Sequence, residues 1–422
     1  MNIKNIEMVR KKNIPIGYEK GTLYLKPKEW LEKSLDDISI TSDYGTSEKT
    51  NSEVGIPVLR MGNMKEGKID TNDLVYLELN KEQLEKLKLN KGDILFNRTN
   101  SYDLVGKVSL FDIDGDYVCA SYIVRFKINN KLIDSRYVAY FMNLPKSQEY
   151  IKMLSTKGVQ QVNVNPTTLR KYFKISFPKN LNEQRYILDI LDNWNKAITL
   201  KEKLLKEKQK QKKGLMERLL TGKIRLNGSN EKVKIEKLKN YIFEVKEKNK
   251  DNKETRILSV TNKQGFILQE EQFEHIVASS NLSNYKIVKK GQFAYNPSRI
   301  NVGSIDFLTR FESGVLSPMY VVFQCKQDLN SEYLYQFLKS DLFLRYIPKL
   351  LQGSVRDSLS FDALEQVKLF IPSLEEQKQI GNLLKIADKE IELLQKEINL
   401  LKEQKKGLMQ LLLTGIVRVR CD

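Results

Sequence analysis

Apolar residues recur at Ile380, Leu384, Ala387, Ile391, Leu394, Ile398, Leu401 and Leu408 in alternating steps of four and three, with Lys405 the one gap. This is a heptad seam, and it predicts a long helix in a left-handed coiled-coil pairing. The same register runs earlier through Ile187, Leu191, Trp194, Ile198, Leu205 and Leu215, interrupted by Lys201, Lys208 and Lys212. Lysine stems can cover apolar surface while their ammonium groups stay wet, so the interruptions do not end the helix. Neither stretch contains proline, and Gly222 and Gly415 stand where a left-handed residue would close each helix.

The two helical stretches are copies. Glu183–Leu226 aligns without a gap on Glu376–Val419, about 193 residues later; both open with Glu-Gln and both close with Gln-Lys-Lys-Gly-Leu-Met, two residues, Leu-Leu-Thr-Gly. That period is far above a solenoid repeat, so the chain is a tandem duplication. The upstream halves repeat more loosely, through landmarks in one order. Ile56–Arg60 answers to Arg256–Val260, Lys91–Arg98 to Lys290–Arg299, Val105–Val108 to Val302–Ile305, and Tyr122–Val124 to Tyr320–Val322. These β-branched and aromatic runs, separated by Gly, Asn and Asp, read as strands and turns. Arg136–Met142 and Ser331–Leu342 read as helices.

The predicted architecture is two tandem α/β (α+β) domains plus two long helices forming an antiparallel coiled coil, a pseudo-two-fold internal repeat. Its parts are an N-terminal segment (1–23), a first domain (24–180), a first helix (181–226), a second domain (227–373) and a second helix (374–422). The alike helices point to a shared partner, and the divergent domains to different things read. Ile187, Leu191, Trp194, Ile198, Leu205, Ile380, Leu384, Ile391, Leu394, Ile398 and Leu401 are the expected coiled-coil and partner-docking positions.

Composition adds a polyanion to the picture. Among 422 residues, 71 Lys and Arg against 53 Asp and Glu leave a net charge of +18, which suits a partner whose phosphates release counterions on contact. The chain offers no membrane span and no signal peptide, and it reads as cytoplasmic. Three scattered cysteines and one histidine do not form a structural zinc site. There is no Asn-Pro-Pro-Tyr-like tetrapeptide, no phosphate-cradling Gly-rich loop and no His-based nucleophile arrangement. Asp112–Asp116 reads as a hairpin turn rather than a calcium loop, because its glycine is misplaced and the closing glutamate is missing.

The polar loop after the Gly-Asp or Gly-Gln turn is the main candidate for DNA contact. It carries Asn97, Arg98, Thr99, Asn100 and Ser101, with Lys107 nearby, and in the second copy Asn296, Ser298, Arg299 and Asn301. Arginine can grip guanine O6 and N7 with two hydrogen bonds, asparagine can do the same at adenine, and lysine serves phosphates. A second candidate loop precedes each helix, with Lys157, Gln160, Gln161 and Asn163 in one copy and Arg356 and Ser358 in the other. Arg60, closing the first landmark run, completes the set. The competing reading of these loops is an ordinary solvated hairpin.

A variable domain ending in Phe177-Pro178 or Ile371-Pro372, then Leu-x-Glu-Gln, a long helix and Leu-Leu-Thr-Gly, resembles the specificity subunits of Type I restriction–modification systems. The Gly92–Leu95 strand with its following Arg98 is similar to their target recognition domains. The resemblance implies a non-catalytic subunit that binds a two-part site on double-stranded DNA. It also implies docking to two methyltransferase (modification) subunits and association with restriction/translocase subunits. The chain would have no cofactor of its own; S-adenosylmethionine, ATP and Mg would belong to the partners. Gln292 and Pro297 depart from the pattern in the second domain. The alternatives are a coiled-coil scaffold and an anti-restriction decoy without productive DNA reading.

Overall fold

The computed structural model describes residues 6–8, 13–50, 53–158, 161–226, 234–262, 264–272, 281–351 and 358–419. The chain divides into two compact units, Met1–Leu200 with Asn399–Asp422, and Lys201–Ile398. Each unit takes part of each long helix.

The first unit is organised by a four-stranded antiparallel sheet of β1 (Ser39–Tyr44), β2 (Ile94–Asn97), β3 (Val108–Leu110) and β4 (Ile123–Ile128), in the order β3-β2-β4-β1. Every residue of β2 is buried, which is why it reads Ile-Leu-Phe rather than alternating apolar and polar. On one face Ile94, Phe96, Val124 and Phe126 pack with α1 (Ser135–Met142) and with Ile187, Leu188 and Leu191. On the other, Leu95 and Ile123 meet Leu59, Phe111 and Cys119.

The second unit repeats the plan. Strands β5 (Ile242–Val245), β6 (Phe293–Tyr295), β7 (Ile305–Phe307) and β8 (Val321–Cys325) form a sheet in the order β7-β6-β8-β5, the same path through equivalent strands. Phe293, Tyr295 and Phe323 pack with α2 (Ser331–Leu338) and with Ile380 and Leu384. All four landmark pairs of the sequence contribute to equivalent strands in the two units.

The long helices span Leu181–Leu220 and Leu374–Leu413. Asn180 Oδ1 accepts from the Asn182 N–H (2.8 Å) and Ser373 Oγ from the Glu376 N–H (3.3 Å), so a polar side chain caps each start. Gly222 (φ +72°) and Gly415 (φ +71°) take the left-handed conformation after each end. Ile187, Leu191, Ile198, Leu205, Ile380, Leu384 and Ile398 are buried, and Trp194, Ile391, Leu394 and Leu401 half-buried. In the second unit the interrupting lysines are paired across the seam: Lys201 with Glu397 (2.8 Å), Lys208 with Glu390 (2.7 Å) and Lys212 with Asp388 (2.5 Å). Partner numbers fall as lysine numbers rise, so the helices pair antiparallel.

The duplicated Glu-Gln locks each helix start in place. In the second unit Glu376 accepts from Arg225 Nε (3.0 Å) and Nη2 (2.7 Å) and from the Leu226 N–H (3.0 Å). In the first unit Glu183 accepts from Arg418 Nε (2.7 Å) and Nη2 (3.0 Å). The adjacent glutamine ties down the chain that leads into α1 or α2. Gln184 accepts from the Asp134 N–H and donates to Leu132 O and Pro178 O; Gln377 accepts from the Asn330 N–H and donates to Asp328 O and Pro372 O. Both buried amides thereby use their carbonyl and amino groups.

Candidate nucleic-acid interface

The loop after β2 is built by a turn, a buried anchor and a new strand. Gly92 (φ +93°) makes the turn into β2. Asp93 is buried and its carboxylate accepts from the Asn90 N–H (2.8 Å). Burial pushes its pKa up, and the Asn90 hydrogen bond and the Arg125 charge only partly oppose that. In the second unit Gln292 does the same work without a charge, its amide oxygen accepting from the Lys289 N–H (2.8 Å). The departure at Gln292 therefore leaves the turn intact.

Beyond β2 the chain forms a second, small sheet. Thr99–Asn100 pairs with Val162–Val164, which pairs with Ser155–Lys157. Thr99 Oγ1 donates to Asn163 Oδ1 (3.1 Å) and the Val164 N–H donates to Arg98 O (2.8 Å). Two loops that stand apart in sequence thus become one surface carrying Arg98, Thr99, Asn100 and Asn163, with Gln161 and Ser101 exposed. Lys107 is half-buried just before β3. Gln160 and Arg356 lie outside the described residues, as does the side chain of Lys157.

Two expectations change, and a third residue stands apart from the loop. Asn97 has no exposed surface, so its amide lies below the loop and offers no atom to a base edge. Asn296 is likewise buried, with its Oδ1 accepting from the Ser298 N–H (3.1 Å). Arg60 follows a strand (Ile56–Leu59) of a different sheet, and its guanidinium is held by Asp73 at 3.0 Å.

In the second unit Pro297 opens a 3-10 turn, Pro297–Val302, that exposes Ser298, Arg299 and Asn301. The Leu359 N–H donates to Pro297 O (3.1 Å), the counterpart of the Val164–Arg98 bond. By backbone position, then, Pro297 and not Arg299 is the equivalent of Arg98. Gly106 (φ +84°) and Gly303 (φ +85°) end the two loops alike.

Exposed tyrosines also flank the first loop, unannounced by any local pattern. The Arg98 guanidinium lies 5.2 Å over the Tyr44 ring, and Lys152 lies 5.4 Å over Tyr102. Bases stack on such rings and phosphates meet such cations, so the chemistry on offer is that of a nucleic-acid surface. Among the described residues no cluster of His, Cys, Asp or Glu could hold a metal ion, and no helix is long and apolar enough to cross a membrane. Asp114 and Asp116 are paired with Lys91 and Lys88.

The family model for the Type I restriction modification DNA specificity domain matches twice, over residues 27–209 and 230–403. The chain belongs to this family. Each match takes in one variable domain and most of its long helix, so the specificity family accounts for the duplication. Across 413 residues the chain is 28% identical to the MjaX type I specificity subunit assigned in Methanocaldococcus jannaschii, covering 93% of this chain and 95% of that one. It is 38% identical over 89 residues to the EcoKI specificity subunit of Escherichia coli, 20% of this chain and 19% of the other. The fold is similar to the crystal structure of a Type I S subunit from M. genitalium, with a TM-score of 0.57 at 14% identity, over 96% of this chain and 99% of that one.

Proposed function

We propose that this member of the specificity family selects the DNA sites at which partner subunits act, with one target recognition domain (24–180 and 227–373) reading each part of a two-part site. The observation that carries the reading is one sheet plan, used twice, that presents different loops from its β2 and β6 ends. A shared scaffold with divergent tips is what two independent readers require. Arg98, Thr99, Asn100, Ser101, Lys107 and Gln161 are the contact residues of the first unit, and Ser298, Arg299 and Asn301 of the second. Gln160 and Arg356 are further candidates by sequence.

The helices 181–226 and 374–422 are spacer and docking elements. Their seam residues are occupied by each other, so methyltransferase subunits would engage the outward faces. Ile386, Leu393 and Leu400 fit this role: they are exposed at heptad spacing on the second helix. The chain itself performs no chemistry in this reading. Adenine methylation with S-adenosylmethionine, and ATP- and Mg-dependent cleavage, would belong to the modification and restriction/translocase subunits in the cytoplasm.

The test is co-expression with the neighbouring methyltransferase and mapping of methylated adenines across the genome. A two-part motif with a fixed gap, lost when this chain is omitted, is the expected result. A stable complex that methylates nothing would replace the reading with a decoy, and no complex at all would leave a scaffold.

A further inference from the structure

We propose that Tyr44 is a positioning residue that holds Arg98 edge-on to a guanine in the half-site read by the first unit, a device the second unit lacks. The proposal rests on the DNA-reading function above.

Arg98 is held by its backbone on both sides. Its N–H donates to Tyr122 O (3.1 Å) and its carbonyl accepts from Val164. Its side chain, by contrast, is paired with no acid among the described residues. The guanidinium lies 5.2 Å from the centre of the Tyr44 ring, and its buried Nε has no acceptor. The acid beside Tyr44 in the chain, Asp43, is one residue along β1 and so on the opposite face of the strand. It is taken by Arg125 at 2.9 Å.

A guanidinium held over a ring keeps a preferred position while its outer Nη–H donors stay available. That is the requirement for two parallel hydrogen bonds to guanine O6 and N7, because both acceptors lie in one edge. Tyr44 is about half exposed, so the stack sits at the surface rather than inside the core. Neither element recurs in the second unit. Val124, the partner of Tyr44, lies opposite Phe96, and its equivalent Val321 lies opposite Tyr295; Val245 pairs with the next residue, Val322, so Lys246 occupies the tyrosine's place in the sequence of the second unit. Pro297 stands where Arg98 would be.

The experiment uses the complex with its modification subunits and measures competition among duplexes differing at each base of the site. Arg98→Ala should reduce discrimination at one guanine of one half-site by ~5- to 150-fold. Tyr44→Ala should relax the same position by about 2- to 5-fold, and Tyr44→Phe should restore it. The other half-site and the gap should not change, which also reports that the complex is folded. Three outcomes would overturn the proposal. Preference unchanged in Tyr44→Ala while Arg98→Ala relaxes it would mean that Arg98 reads unaided. Equal weakening for every base would make Arg98 a phosphate contact. Loss in Tyr44→Phe equal to that in Tyr44→Ala would assign the role to the hydroxyl. A wild-type complex without any two-part preference would instead remove the DNA-reading function itself.

Discussion

Replacing Arg225 by alanine tests whether the long helices are fastened by a buried ion pair at each start. Arg225 and Glu376 are 12% and 5% exposed, and the guanidinium also covers the Phe370 ring at 5.2 Å. Burial alone would raise the Glu376 pKa; the hydrogen bonds from Arg225 and then the Leu226 N–H outweigh it and hold the carboxyl below its ordinary value. Removing the arginine leaves that carboxylate buried with a single backbone donor, a loss of about 3–5 kcal/mol. Replacing both residues by apolar side chains of similar volume should recover most of this, because no charge then remains to be desolvated. Hydrogen exchange read by mass spectrometry localises the effect. Amides of Lys378–Leu384 should lose about two orders of magnitude or more of protection in Arg225→Ala, while those of Arg185–Leu191, served by Arg418, should keep theirs. Equal loss at both helix starts, or a double variant as weak as the single one, would refute the reasoning.

Asp93→Asn should stabilise the first unit at neutral pH, measured by thermal melting between pH 3 and 8. The raised pKa of Asp93 means that wild-type stability is greatest below the unfolded carboxylate value and declines as pH rises through the folded one, so the gap between the proteins should close in acid. Lys208→Glu should cost about 0.5–1 kcal/mol in chemical unfolding, and adding Glu390→Lys should recover it if the antiparallel register is right. Gly106→Ala should cost about 1–3 kcal/mol, since its φ is +84° and its Cβ would meet Ile151 Cγ2 at 2.7 Å. Gly291→Ala has a similar φ but open space, so its melting temperature should fall less.

The helices and their seam were legible because a 3.5-residue period survives in the one-dimensional text, and the closing glycines because only their conformation permits the turn. The purpose of the Glu-Gln repeat was not legible, since the arginine that answers each glutamate comes from the other copy of the duplicated text. The lysine interruptions could be read as compatible with a helix, but their acidic partners depend on the antiparallel register. Asn97 misled because its residue type is usually exposed; strand pairing, not composition, drew it inside. Tyr44 carried no signal at all: only the pairing of β1 with β4 brings it beside Arg98.

Pro297 shows how one residue separates two copies of a plan. In the first unit the Arg98 N–H donates to Tyr122 O, and this bond keeps the loop in line with the sheet so that it continues as a strand. Proline has no N–H to make that bond, and its fixed φ favours a turn. The register places Met319 where Tyr122 stands in the first unit, and one residue further on Tyr320 O accepts from Lys286 Nζ at 2.6 Å. Burial lowers the pKa of that lysine, so its ammonium is held at the carbonyl against a desolvation cost. The second loop is therefore a different structure, a 3-10 turn in place of a strand. Divergence of this kind changes which side chains face outward while the sheet, the glycine turns and the helix clasps stay the same, which is how a duplicated chain comes to present two unlike surfaces.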